Sequence, residues 1–345
     1  MSHPETYRAY AFLEKGGELK PIEVQWKDPE QGEIVVKVLA CGVCASDEMA
    51  KYQILPGTAF PRIPGHEIVG DVAAIPPTET VWQIGRRVGA GWHGGHCSTC
   101  RRCRQCRFSL CAKKQTNGHT GIARDGGFAE YVTLRTEAIA HVPDDIDPAE
   151  AAPLLCAGVT CFTSIRKMNA APPDLIAVQG MGGVGHLAVQ FTKAMGYRTV
   201  VLSTSPDKEK LAYELGVDAF IDSSAGVSHA QELKKMGGAQ VVICTNPDPN
   251  AIESVQLGLT HGGQFMLVAV TERVNMHWGM LVEFQLSLDI GVAGTPIESE
   301  ECFDFVKTHS IKVMTERFPL GKAQEAYERR SVARFRSVIV PSLGV

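Results

Sequence analysis

The sequence predicts an α/β protein in which a doubly wound parallel sheet is inserted into a second, β-rich domain. Three observations lead there. From about Ala149 apolar strands alternate with helical segments, a pattern that builds a parallel sheet with helices on both faces. A glycine-rich turn follows the first of those strands, and the alternation is lost after about Gly294. The length of 345 residues suits two domains of roughly 150 residues each.

In chain order, Glu33–Leu39 and Ile68–Ala74 read as strands, with Gly65, Gly70, Gly85, Gly89, Gly91, Gly94 and Gly95 as turn signals among them. The α/β block then runs through Leu175–Gln179, Gly185–Met195, Thr199–Ser203, Lys208–Leu215, Val241–Cys244 and Gln264–Val270. Beyond it, Phe303–Thr308 and Lys322–Arg330 look helical, and Ser337–Val340 reads as a closing strand. A block enclosed by a different texture implies that the outer domain is built from both ends of the chain.

Composition excludes several functions. A net charge of −4 leaves no basic footprint for nucleic acid. Arg101, Arg102, Arg104 and Arg107 cluster between cysteines, where a solvated loop is the simpler reading. The N-terminus lacks the basic and apolar regions of a signal peptide, and no apolar run approaches the roughly 20 residues needed to span a bilayer. A cytoplasmic protein is expected, with no membrane partner. Eleven cysteines in such a chain favour metal ligation over disulfides.

The segment Gly180-Met181-Gly182-Gly183-Val184-Gly185 follows the apolar strand and opens an amphipathic segment, the context a dinucleotide fingerprint requires. Gly180 permits the tight turn, Gly182 lets the backbone approach a pyrophosphate, and Gly185 allows close helix–strand packing. Amide N–H groups at the helix start then hold the phosphates. An acidic residue at the end of the second strand would bind the NAD ribose. Ser203 stands there instead, followed by Thr204, Ser205 and Lys208. Hydroxyls and an ammonium accept a 2′-phosphate that a carboxylate would repel, so NADP(H) is the expected cofactor. NAD(H) remains the alternative, with Asp207 serving the ribose.

Cys97, Cys100, Cys103 and Cys111 lie within one short loop that also contains Cys106. This spacing fits a closed tetrahedral zinc site with four thiolate ligands; a redox-sensing cluster and an iron–sulfur centre are the alternatives. Three separated pieces supply donors for a second zinc: Cys44, His66 and Cys156. Two thiolates and an imidazole with an open fourth position suit a catalytic ion, but spacing alone does not bring them together.

The segments GVCASD, PGHEIVG, the four-cysteine loop, DGGFAEY, LLCAGVT and GMGGVGH occur in the order found in medium-chain zinc-dependent alcohol dehydrogenases, which the chain resembles over essentially its full length. Its texture is most similar to the aldehyde-reducing branch that includes cinnamyl alcohol dehydrogenases. The resemblance implies a GroES-like catalytic domain over residues 1–154 and 295–345 and a Rossmann domain over 155–294. It implies two zinc ions, the structural one on Cys97, Cys100, Cys103 and Cys111 with Cys106 as a spare. It makes Cys44, His66 and Cys156 catalytic ligands, with Glu67 able to approach the metal and Asp47 orienting His66. Ser46 becomes the proton-relay hydroxyl, Thr160 a nicotinamide contact and Arg336 a contact to cofactor phosphates. A homodimer joined through the sheet edge of the cofactor domain is also implied.

Two departures stand out. Met49 occupies the place of a relay histidine, so the proton must leave through the ribose, water or Glu48. Arg86 replaces a common acidic residue in a loop. Trp92 is a candidate pocket wall or a packing residue. The expected reaction is hydride transfer between NADP(H) and a primary alcohol or aldehyde. The rivals are reduction of C=C or an iminium on the same fold, and an NADPH-binding protein without activity.

Overall fold

The computed structural model describes residues 3–113, 118–271, 273–330 and 332–344. The chain divides into two compact units, one of Met1–Val159, Ala293–Phe305 and Val313–Val345, the other of Thr160–Val292 and Val306–Lys312.

The first unit contains β1 (Thr6–Phe12), β2 (Leu19–Gln25), β3 (Glu33–Gly42), β4 (Ile68–Ala74), β5 (Arg87–Ala90), β6 (Tyr131–Arg135) and β7 (Ile139–His141). The second holds β8 (Leu175–Gln179), β9 (Arg198–Ser203), β10 (Ala219–Asp222), β11 (Ala239–Cys244), β12 (Leu259–Leu267) and β13 (Ser287–Ile290). The chain returns to the first unit with β14 (Thr315–Pro319) and β15 (Arg336–Val340).

In the first unit β1 and β2 form a hairpin, and a seven-stranded sheet runs β14-β15-β3-β4-β5-β7, with β6 also paired to β3. Its core packs Ile34, Val36, Ile68, Val88, Phe128 and Ile339 with Phe12 of the hairpin. Strand β3 extends three residues beyond its sequence estimate because Val338 and Ile339 of β15 pair with Gly42 and Cys41. That pairing closes the two ends of the chain on one another.

The second unit carries a six-stranded parallel sheet in the order β10-β9-β8-β11-β12-β13. Counted from β8 this is 3-2-1-4-5-6, the order of a dinucleotide-binding fold. Every residue of β8 is buried, as a central strand covered on both faces must be. The strand expected over Gln264–Val270 runs instead over Leu259–Leu267, because the amides of Val268 and Ala269 turn back to the Cys244 carbonyl.

The helix Pro296–His309 begins in the first unit, but residues 306–312 pack with the second. The expected assignment of all of 295–345 to the outer domain is therefore corrected for this segment. The buried Gln190 amide explains it, since Gln190 Nε2 donates to the Lys312 carbonyl at 2.9 Å and Gln190 Oε1 accepts from its N–H at 2.8 Å. No single described helix is long and apolar enough to cross a membrane.

Candidate active site and dinucleotide site

The first unit brings Cys44, His66, Glu67 and Cys156 together, with ligand atoms all within 4.8 Å of one another. Cys44 caps the short turn Ala45–Asp47 that follows β3, and its N–H donates to Asp47 Oδ2 at 2.9 Å. Asp47 Oδ1 accepts from the Gly65 amide at 3.3 Å and lies 3.0 Å from His66 Nδ1. One fully buried carboxylate thus ties the Cys44 turn to the His66 segment. His66 and Glu67 stand just before β4, whose pairing with β3 fixes their position. Gly42 is required there, because a Cβ would come within 1.9 Å of Glu67 Oε2. Cys156 follows the turn Ala152–Leu155, and its Sγ lies 4.0 Å from that of Cys44.

These residues fit a zinc ion. A tetrahedral ion with sulfur at about 2.3 Å sets two thiolates about 3.8 Å apart. His66 is fully buried, its Nδ1 faces Asp47, and its Nε2 has no hydrogen-bond partner. An imidazole nitrogen left so is costly unless something binds it. Electrostatics agree. The hydrogen bond shared with Cys156 draws the Cys44 thiol below its usual range, aided by Arg336. Burial opposes a charged His66, but Asp47 outweighs it and raises the imidazole. Burial pushes the Glu67 carboxyl up to about 8 against the pull of Arg336.

Arg336, which the resemblance places on the cofactor phosphates, stands at the edge of this cluster. It is buried against this cluster, with Nη2 3.2 Å from Glu67 Oε1 and Nη1 donating to the Val43 carbonyl at 3.3 Å. A buried carboxylate needs positive charge beside it, and Arg336 supplies it together with His66. Glu48 forms an ion pair with Arg330. Met49 packs against the core, and Arg86 lies exposed in a turn. Ser46 is half-buried in the Cys44 turn. The Trp92 ring stands edge-on to His66 at 5.0 Å, with His119 4.6 Å away on its other side. Nothing in the sequence signals that His119 joins this group.

Cys97, Cys100, Cys103 and Cys111 form the other cluster, with Sγ separations of 3.9 Å for Cys97–Cys103 and 3.5 Å for Cys100–Cys103. The amides of Cys100 and Cys97 donate to the sulfurs of Cys97 and Cys111, each at 3.4 Å. The Thr99 hydroxyl and the Cys100 amide pull the Cys97 thiol down to about 5, while burial pushes Cys103 up to about 12. Cys106 is exposed.

In the second unit Gly180 adopts the left-handed conformation at φ 86°, and a Cβ on Gly185 would lie 2.0 Å from the Gly180 carbonyl. Gly182 has open space where a side chain would stand. Gly183 and Val184 complete the turn, and the helix Gly185–Ala194 follows. Ser203 ends β9, its Oγ donating to the Ser205 carbonyl at 2.8 Å, and Thr204 is exposed. Ser205 Oγ accepts from the amide of the exposed Asp207 at 3.2 Å. Lys208, expected on a 2′-phosphate, donates from Nζ to the Met181 carbonyl at 2.8 Å. Thr160 is buried in the helix Ala157–Lys167.

Comparison with known proteins agrees with this description. Residues 30–144 match the alcohol dehydrogenase GroES-like domain, and residues 183–308 match the zinc-binding dehydrogenase family. The chain is 42% identical over 338 residues to alcohol dehydrogenase patD of Penicillium expansum, covering 97% of this chain and 98% of that one. It is 32% identical to aldehyde reductase AdhA of Synechocystis sp., covering 92% and 94% respectively. A cinnamyl alcohol dehydrogenase from Sorghum bicolor superposes with a TM-score of 0.85 at 26% identity, covering 97% of each chain.

Proposed function

Because the chain belongs to the medium-chain alcohol dehydrogenase family of zinc-binding oxidoreductases, we propose that it works as an NADPH-dependent aldehyde reductase. The observation that carries this reading is the buried Cys44–His66–Glu67–Cys156 cluster with its unpartnered His66 Nε2. Cys44, His66 and Cys156 would hold the catalytic zinc, with Glu67 able to approach it and Arg336 balancing that carboxylate. When bound, the ion supplies Lewis-acid polarisation of the substrate oxygen, and the nicotinamide supplies the hydride.

The chain's own residues do the rest. Asp47 holds Nδ1 of His66, so that Nε2 is left for the metal. Ser46, half-buried beside Cys44, moves the proton of the alcohol hydroxyl. The cofactor ribose, a water or Glu48, which pairs with Arg330, would be the next proton acceptor. Cys97, Cys100, Cys103 and Cys111 would hold the structural zinc.

The turn Gly180–Gly185 would take the pyrophosphate and Thr160 would pack against the nicotinamide. The absence of a carboxylate at Ser203, with Thr204, Ser205 and Lys208 following, favours NADP(H) over NAD(H). NADPH in turn favours the direction of aldehyde reduction. The exposed strand β13, with Leu288 and Ile290 uncovered at the sheet edge, supports a homodimer through that edge. Eleven cysteines with no disulfide among the described residues suit the cytoplasm.

The test is catalytic efficiency on an α,β-unsaturated aldehyde with NADPH and with NADH. The expected result is an allylic alcohol, formed at least about tenfold more efficiently with NADPH, a difference of about 1.4 kcal/mol. A clear NADH preference overturns the cofactor assignment. Hydride found at the C=C bond overturns the carbonyl reading.

A further inference from the structure

We infer that Thr245 is a positioning residue for the dinucleotide, acting through the glycine turn. This rests on the cofactor reading above and adds a residue from the fourth strand of the sheet to it. Thr245 directly follows β11. Its Oγ1 lies 2.8 Å from the Gln179 carbonyl and 3.1 Å from that of Gly180, and donates to this pair. Its amide donates to the Gln179 carbonyl at 3.1 Å. The same oxygen fills the notch beside the turn, since a Cβ built on Gly180 or Gly185 would meet it at 3.1 or 3.2 Å.

The next two carbonyls are also taken by donors of the protein. Lys208 Nζ reaches Met181 at 2.8 Å, and the His186 amide reaches Gly182 at 3.0 Å. His186 Nδ1, 3.1 Å from the same Gly182 oxygen, must be its protonated nitrogen, because a carbonyl only accepts. All four carbonyls from Gln179 to Gly182 are therefore engaged inside the unit. Among the described residues, the amides of Met181, Gly182, Gly183 and Val184 donate to no protein acceptor. The turn thus withholds its negative dipole ends and offers positive ones, the arrangement an anionic pyrophosphate needs.

Thr245 holds two of the four carbonyls, including that of Gly180, whose left-handed conformation sets the direction of the turn. Its hydroxyl reaches the Gly180 carbonyl from the residue just after β11. Removing it frees the Gly180 peptide to rotate and loosens the amides that follow. Both cofactors share the pyrophosphate, so the effect must fall equally on NADPH and NADH. That separates Thr245 from Ser203, Thr204 and Ser205, which bear on the difference between them.

The experiment titrates the full-length metal-loaded protein with NADPH and with NADH by fluorescence, and measures kcat and KM. Thr245→Val should weaken both cofactors about tenfold and equally, leave kcat at saturating cofactor within about twofold, and leave zinc content unchanged. Thr245→Ser should restore binding to within about twofold of the parent. Thr245→Ala carries the same expectation as the valine variant if the latter does not fold. Unchanged binding in the variants, a loss confined to one cofactor, or failure of serine to rescue each overturns the inference. A parent protein that binds neither dinucleotide overturns the cofactor reading and this inference together.

Discussion

The two cysteine-bearing clusters of the first unit are built in opposite ways. Cys97, Cys100, Cys103 and Cys111 sit in one loop and are wired to one another by their own amides, through Cys100 N–H to Cys97 Sγ and Cys97 N–H to Cys111 Sγ. Cys44, His66, Glu67 and Cys156 come from three distant stretches held by the β3–β4 pairing and by Asp47. The loop closes its four sulfurs around one point and leaves no position open, which suits a structural ion. The dispersed cluster adds an imidazole, a carboxylate and a buried guanidinium, groups a structural site does without. A local site tolerates movement of the rest of the chain, whereas a dispersed one reports on the whole fold of its unit.

The sharpest way to break that contrast is at His66. His66→Ala should lower kcat/KM by about a thousandfold or more, since Lewis-acid stabilisation is worth several kcal/mol. Metal analysis should find one ion fewer per chain, with the loop ion retained. Two full equivalents of metal in the variant would place the second ion elsewhere.

The same contrast explains what the sequence revealed. The four-cysteine loop was legible because its ligands are a few residues apart and no tertiary contact is needed to unite them. The glycine turn was legible because strand, turn and helix are consecutive, and β8 falls where its apolar run placed it. Cys44, His66 and Cys156 were nameable as donors, but only family resemblance united them, because strand pairing, not spacing, brings Cys44 to His66. The Arg336–Glu67 pair was not visible for the same reason, as the two residues lie far apart in the chain. The pairing of Glu48 with Arg330 was likewise invisible, since it joins residues from opposite ends of the chain. Strands β1, β2, β5, β6, β7, β10, β13 and β14 were not named from the sequence; of these β13 is exposed and β10 and β14 are mostly half-buried, so no apolar run marks them.

A smaller effect is expected at Ser46, which is a ligand of neither cluster. Ser46→Ala should reduce kcat about a hundredfold, the usual worth of a positioned proton-transfer group, with both ions retained. Unchanged turnover would remove Ser46 from the proton path. Asp47 tests the wiring of the dispersed cluster. Asp47→Asn keeps the shape but removes the charge facing His66 Nδ1, and an outer partner of this kind is worth about 10–100-fold in metal affinity. Competition with a chelator should strip the catalytic ion from this variant first and leave the loop ion on its parental time course. Equal loss of both ions would mean that Asp47 supports the unit as a whole.

The loop itself should give the smallest effect on chemistry and a clear one on stability. Cys103→Ser removes the most buried of its four sulfurs and with it the cross-link across residues 97–111. Treated as closure of a loop of about 15 residues, that cross-link contributes about 3 kcal/mol. At about 2–4 °C per kcal/mol for a domain of this size, the melting temperature should fall by about 6–12 °C. Activity per catalytic ion, measured below the new transition, should stay within about threefold, because no residue of the loop belongs to the Cys44–His66–Glu67–Cys156 set. A thousandfold loss of turnover in a variant that still holds its catalytic ion would show that the two clusters are one energetic unit, and the distinction between a local and a dispersed site would fail.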